Sequence, residues 1–426
     1  MRLRILVSAH AVSPYFGSEP GMGWNILYRM GKHHEVVVLC NPIHFDSFGF
    51  RKNWNCRKDI EKFAAQQGLP DGLTFVFVDA PLLSRLLQRE SFPLRQTLYY
   101  TGYSAWQRAA YRVAVDLHRQ HPFDLVHQLN ITGFREPGYL WQLGIPFVWG
   151  PVTGSQRIPS SFLKRFSPRD RVFYGARNIA NGVQMFTKQR LRRAARAARH
   201  IWVVSESDRR MVCETWGCPA ENLLESGTDV HEGVRPRNYE PNRPLRICWS
   251  GMHIGRKALP ILLHAIDRCQ SPLLVELSIL GEGPETKLWQ RLAVSLRNRL
   301  TVKWLGRMDH SAAIAEMNRS DIFALSSLSE GTPGVVMEAL SLGLPVICHD
   351  ACGMGQAVTT ECGIKIPLLD PCTSICGFAA ALDRILQHPE DVFRLSKGAL
   401  QRAKELTWDA KVTDILATYE RVLAET

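Results

Sequence analysis

Two glutamates stand eight residues apart in SLSEGTPGVVMEALSLGLPVI, residues 327–347, with a Gly-Thr-Pro-Gly turn between them. Such a turn ends one element and opens the next. Glu330 should therefore close the loop after a strand, and Glu338 should lie about one turn into the following helix. The amides of Thr332, Gly334 and Val335 would then face outward at that helix's N-terminus, where backbone N–H groups lack partners and favour an anion. Carboxylates accept from hydroxyls. The motif thus suits a ligand carrying both phosphate and vicinal hydroxyls, one glutamate gripping a sugar and the other a ribose.

A second cluster of chemistry lies in WSGMHIGRKAL, residues 249–259. An apolar run ends near Gly251, and Arg256 and Lys257 follow. As mere solvated residues at a helix start they would oppose the helix dipole. As a pair they suit a diphosphate leaving group, which gains negative charge as its bond breaks. Near the beginning, SEPGMGW (18–24) follows a strand-like run, and Gly21 and Gly23 would let backbone approach a ligand closely. Its spacing is not the dinucleotide G-x-G-x-x-G, which argues against a dehydrogenase. DLVHQLN (124–130) ends another strand-like run. His127 there could donate to a hydroxyl or stabilise developing charge, or be a satisfied buried histidine.

These motifs all sit at the ends of short β-branched runs that alternate with helical stretches. That rhythm predicts an α/β chain with parallel sheets. Strands are expected at 4–8, 35–39, 73–78, 124–127, 146–149 and 200–205, then at 245–250, 274–280, 301–305, 322–326 and 345–348. The Pro- and Arg-rich stretch 234–244 reads as a linker. The expected organisation is a first doubly wound domain over 1–233, a hinge over 234–244, a second over 245–405, and a last helix over 406–426 returning to the first. Ligands of such sheets bind beyond the carboxyl ends of the strands, where the motifs lie.

The 426 residues carry 52 Lys+Arg against 40 Asp+Glu, and the excess is one-sided. Residues 1–237 hold 32 basic against 19 acidic, and the remainder 20 against 21. A phosphorylated substrate or an anionic membrane surface accounts for a basic half; nucleic acid is not expected, since no recognition module is present. Two basic stretches, 84–95 and 188–200, are candidates for peripheral membrane contact or for a solvated helix face. The eleven scattered cysteines include no Cys-x-x-Cys pair. Reduced thiols, no metal site and a cytoplasmic location, peripheral at the inner membrane face, are therefore expected.

The four motifs together resemble glycosyltransferase family 4, over nearly the whole chain. SEPGMGW and IPFVWGPVTGSQ (145–156) look like the subgroup that builds bacterial surface polysaccharides and glycoconjugates. The resemblance implies the GT-B fold, two Rossmann-like domains facing across a cleft, and a retaining transfer that needs no metal and no cofactor beyond a nucleotide-sugar donor. It implies that Glu330 binds the donor sugar, Glu338 the ribose and Lys257 the pyrophosphate. Gly21 and Gly23 would line the phosphate or acceptor side, and His127 would contact the transferred sugar. The expected acceptor is a glycan or a polyprenyl-diphosphate-linked saccharide, with a soluble sugar phosphate as rival. An epimerase or a non-catalytic nucleotide-sugar binder on the same fold are the other readings. Two departures stand out. The family pattern places Arg after the glycine that is Gly251, where this chain has Met252, which leaves Arg256 to supply the cation. Some members also have His-x-His where this chain has His127-Gln128-Leu129.

Overall fold

The computed structural model describes residues 2–44, 54–87, 95–271, 274–296 and 300–425. They divide into two compact units. Unit 1 comprises residues 1–155, 182–225 and 408–426, and unit 2 comprises 156–181 and 226–407.

Unit 1 is built on β1 (Arg4–Ala9), β2 (Glu35–Cys40), a small antiparallel ribbon of β3 (Ile43–His44) and β4 (Trp54–Asn55), β5 (Leu73–Phe77), β6 (Leu125–Asn130), β7 (Phe147–Val152), β8 (His200–Val203) and β9 (Glu221–Asn222). Its main sheet is parallel, in the order β5-β2-β1-β6-β7-β8-β9. Val7 faces Val38 on one side of β1 and His127 on the other. Strands such as EVVVLC are apolar at successive positions because helices cover both faces of a parallel sheet. Two apolar clusters result, one on each face.

Unit 2 holds β10 (Leu245–Ser250), β11 (Val275–Leu280), β12 (Leu300–Gly306), β13 (Ile322–Leu325), β14 (Val346–His349) and β15 (Gly363–Ile366). These also form a parallel sheet, in the order β12-β11-β10-β13-β14-β15. In each unit the strand order reverses beside the first strand. β1 has β2 and β6 as neighbours, and β10 has β11 and β13. The loops leaving these strands open a crevice at the carboxyl ends of the sheet.

The unit boundaries differ from those read in the sequence. Residues 156–181 pack in unit 2, because Ile158, Phe162, Phe166 and Tyr174 are buried in its core. The stretch 234–244, read as a hinge, is fixed to unit 2. Arg237 bonds Leu342 O at 2.8 Å and Asn318 O at 2.6 Å, Tyr239 is buried, and Arg243 forks onto Asp321 at 2.6 and 2.7 Å.

The helix Trp408–Ala424 completes unit 1, burying Trp408, Val412, Ile415 and Tyr419 in one of its clusters. Its deepest tie is to His127. Nε2–H of His127 donates to Gly150 O at 2.7 Å, so Nδ1 accepts from Tyr419 Oη at 2.6 Å. Burial, ahead of all other influences, lowers the imidazole pKa to about 4. The ring is therefore neutral in the folded state and is protonated more readily once the chain unfolds. This contribution is intact above pH 6.5 and is lost as pH falls from there towards about 4. Tyr419→Phe leaves a buried acceptor unpaired and should lower unfolding free energy by about 1–3 kcal/mol; denaturant titration at neutral pH checks this, and a change near zero would refute the tie.

Candidate functional site

The crevice of unit 2 gathers three of the expected groups. After β10 the chain turns through Gly251 and reaches a single 3-10 turn, Gly255–Lys257. Ala258 then takes a left-handed conformation, φ 47°, and the helix Leu259–Arg268 starts with Pro260 in its first turn. After β13 the chain runs through Ser326–Glu330 to the helix Gly334–Ser341. Backbone and hydroxyl bonds stitch the two loops together. Leu328 N–H donates to Arg256 O at 2.8 Å, and Ser326 Oγ donates to Lys257 O at 3.2 Å. His349, on β14, contacts Ser327 O at 3.0 Å and Ser374 Oγ at 2.9 Å.

Stitching brings both cations onto one carboxylate. Oε1 of Glu330 lies 2.8 Å from Nη1 of Arg256 and 2.6 Å from Nζ of Lys257. Arg256 Nη1 also donates to Ser329 O at 2.7 Å, and Glu330 N–H donates to Cys352 Sγ at 3.4 Å. The three side chains are 10–16% exposed, so they meet with little water between them. Burial alone would raise the Glu330 pKa, but the two cations outweigh it and hold the carboxylate at about 2. Burial pushes the Lys257 ammonium down, against the pull of Glu330, and Arg256 adds to the lowering. Burial opposes the charge on Arg256, but the combined pull of Glu330, Tyr174 and Cys352 outweighs it and holds the guanidinium protonated. The cluster carries one net positive charge in a largely dry crevice, where an anion would feel it strongly.

Gly251 lies beside this cluster. A side chain there would begin 3.3 Å from the Trp249 ring and 3.4 Å from Lys257 Cδ, so the position is confined on the side of the lysine stem. At Gly334, by contrast, a Cβ would meet open space. Thr332 is buried, while Gly334 and Val335 are exposed and half-buried at the helix N-terminus. Glu338 lies farther along that helix and receives a hydrogen bond from His310 Nε2 at 3.0 Å. That bond, ahead of the opposing effect of burial, raises the His310 pKa above its ordinary 6.5. Glu330 and Glu338 thus follow the order read from the sequence, but only Glu330 joins the cations. Among the described residues no cluster of His, Cys, Asp or Glu is arranged to hold a metal ion.

Three expectations in unit 1 need correction. His127 does not point into an open site; both ring nitrogens are engaged and the side chain is fully buried. Gly21 and Gly23 lie inside the helix Ser18–Met30 and are buried. A side chain at Gly21 would collide with Phe16 O, and one at Gly23 would begin 2.9 Å from Asn130 Nδ2. Their smallness therefore serves close packing of the helix on its own entry loop and on β6. Sequence reasoning missed Glu19, whose carboxylate accepts from Thr132 N–H at 2.8 Å and Thr132 Oγ1 at 2.7 Å, pinning the helix start to the loop after β6. The Glu-Pro step in SEPGMGW was the available signal.

Two outcomes follow from the charges. Glu330→Gln strands two buried cations and should cost about 3 kcal/mol of stability. For the native carboxylate the contribution is present above its ordinary value of 4.5 and is lost as pH falls towards about 2. Denaturant titration of the variant at pH 7 checks this; stability within about 0.5 kcal/mol of the parent would show that the cluster contributes little. His310 should titrate above 6.5 by NMR and return towards it in Glu338→Gln, and an unmoved midpoint would remove the pairing.

Comparison with known proteins fits this placement. The family model described as "Glycosyl transferases group 1" matches residues 243–388, which include the whole cluster. Glycogen synthase of Mycobacterium tuberculosis is 23% identical over 232 residues, covering 51% of this chain and 55% of that protein. The chain therefore spans about half the length of the curated relatives it matches. Among solved structures, sucrose-phosphate synthase from Thermosynechococcus elongatus superposes with a TM-score of 0.63 at 14% identity, covering 100% of both chains. Anabaena HepE in complex with UDP superposes with a TM-score of 0.58 at 13% identity, covering 98% of this chain and 100% of that one. Residues 243–388 thus resemble the glycosyl transferases group 1 family, in a chain with the GT-B fold of two parallel-sheet Rossmann-like units.

Proposed function

We propose that this chain transfers a sugar from a nucleoside-diphosphate sugar to a glycan or lipid-linked acceptor, with retention at the anomeric carbon and without a metal. The observation that carries the reading is the Arg256–Glu330–Lys257 cluster at the switch point of the unit 2 sheet. Lys257 and Arg256 would face the diphosphate, whose charge grows as the glycosidic bond breaks, and would favour the transition state over the ground state. The amides of Thr332, Gly334 and Val335 would hold further phosphate oxygens. Glu330, kept ionised by its cations, is an acceptor only. It would orient the hydroxyls of the donor sugar, and Glu338 would take those of the ribose. Anabaena HepE, similar in fold, was solved in complex with UDP, which supports a nucleotide as part of the donor.

No protein nucleophile is assigned. The departing phosphate oxygen would accept the proton of the acceptor hydroxyl on the face from which it leaves, so the new bond forms with the old configuration. The basic first half of the sequence supports a phosphorylated acceptor, for which a polyprenyl-diphosphate-linked saccharide is the leading candidate.

Two measurements test this reading. A panel of nucleoside diphosphates and nucleotide sugars should raise the melting temperature selectively, and Glu338→Ala should remove most of the rise; a flat panel would sink the donor assignment. With the donor so identified, Lys257→Ala should slow turnover roughly a hundredfold, the effect of removing one contact worth on the order of 3 kcal/mol to the transition state. Turnover near that of the parent would leave Lys257 without its role.

A further inference from the structure

Two cations hold the carboxylate of Glu330, and a cysteine holds its backbone. Cys352 opens the short helix Cys352–Ala357, which follows β14. It is buried, and its Sγ accepts the Glu330 N–H at 3.4 Å and donates to Oε1 of Gln156. The next residue grips the same loop: Gly353 N–H donates to Gly331 O at 3.1 Å. The two backbones run so close that a side chain at Gly353 would collide with Gly331 O. Gln156, Glu330 and Cys352 all belong to unit 2.

Cys352 has φ 62°, in the left-handed region where glycine is the unstrained choice. A side chain persists in such a conformation only where its surroundings over-determine it. Here they do so through the thiol. Glycine would relax the backbone but leave the Glu330 N–H without its partner. A thiol accepts and donates, weakly in each direction, so one small atom can join an N–H to an amide oxygen. Gln156 anchors the far end. It closes the stretch IPFVWGPVTGSQ and leads into the segment whose Ile158, Phe162 and Phe166 are buried in the unit 2 core. A path of packed and bonded groups thus runs from that core through Gln156 and Cys352 to the backbone of Glu330.

We propose that Cys352 is a positioning residue for the donor sugar, setting the place from which Glu330 presents its carboxylate. The ligand chemistry rests on the functional reading above, and the tie itself on geometry alone. The two holds on Glu330 differ in kind. Arg256 and Lys257 bond its carboxylate by charge, and would share that charge with a diphosphate. Cys352 bonds its backbone as a neutral thiol, so this hold does not depend on what charge enters the crevice. Loss of the thiol should therefore leave the diphosphate contacts in place and blur the placement of the sugar-binding oxygen.

Hydrogen exchange at the Glu330 amide of the full chain reads the tie with no ligand present. Cys352→Ala should speed that exchange about tenfold, and Cys352→Ser, which keeps an acceptor and a donor, should stay near the parent. Calorimetric affinity for UDP-glucose over UDP, or for the matching pair that the melting panel selects, reads the role. Cys352→Ala should lower that ratio roughly fivefold with the affinity for the diphosphate unchanged, and Cys352→Ser should restore it. Cys352→Gly relaxes the left-handed backbone, so it should fold as the parent does and still lose the ratio. Unchanged amide exchange in Cys352→Ala overturns the tie. Faster exchange with an unchanged ratio overturns the positioning role. A parent that binds no member of the panel overturns the functional reading and the sugar role together, while the exchange result still decides the tie.

Discussion

A single carboxylate oxygen holding two cations organises the second unit. Arg256 and Lys257 could not stay in a dry crevice without Glu330, and Glu330 could not stay ionised without them. Mutual dependence of this kind requires the loops after β10 and β13 to be held in one fixed arrangement. The surrounding bonds supply that, from Leu328 N–H on Arg256 O to the His349 ring between Ser327 and Ser374. The sheet order sets the larger frame, because only at the reversal between β11 and β13 do two neighbouring strands send their loops apart and leave a crevice. Within the cluster the one carboxylate offsets one of the two cations and leaves one net positive charge.

Much of this was legible in the sequence. All eleven strands expected from β-branched runs are present, with ends shifted by up to three residues. β15 was not read, because GIKI is short, ends a turn and carries a lysine at a half-buried position. The cation pair and the two glutamates were legible because their chemistry demands those residue types after strands. That Glu330 and not Glu338 would join the cations was not legible, since it depends on how far the loop after β13 folds back over the 3-10 turn.

The less legible features are those that depend on what covers a residue. His127 lies on a strand whose neighbours are all buried, and nothing local reveals that Tyr419 and Gly150 will take both its nitrogens. Gly21 and Gly23 look like a ligand loop, but the helix starts at Ser18, three residues ahead of Gly21, and turns both glycines inward. The placement of 156–181 follows from four aromatic and aliphatic side chains that fit the core of unit 2. Of the basic stretch read over 84–95, residues 88–94 lie outside the described residues.

The partner of His127 lies 292 residues farther along the chain. As the polypeptide leaves the ribosome, the first sheet can assemble its strands long before that hydroxyl exists, while residues 226–407 of unit 2 are made between them. Until then His127 and the apolar face that Tyr419 and Ile415 will cover remain open to solvent and to chaperones. A nascent or truncated chain that lacks the helix Trp408–Ala424 should therefore present that uncovered face of unit 1 to quality control.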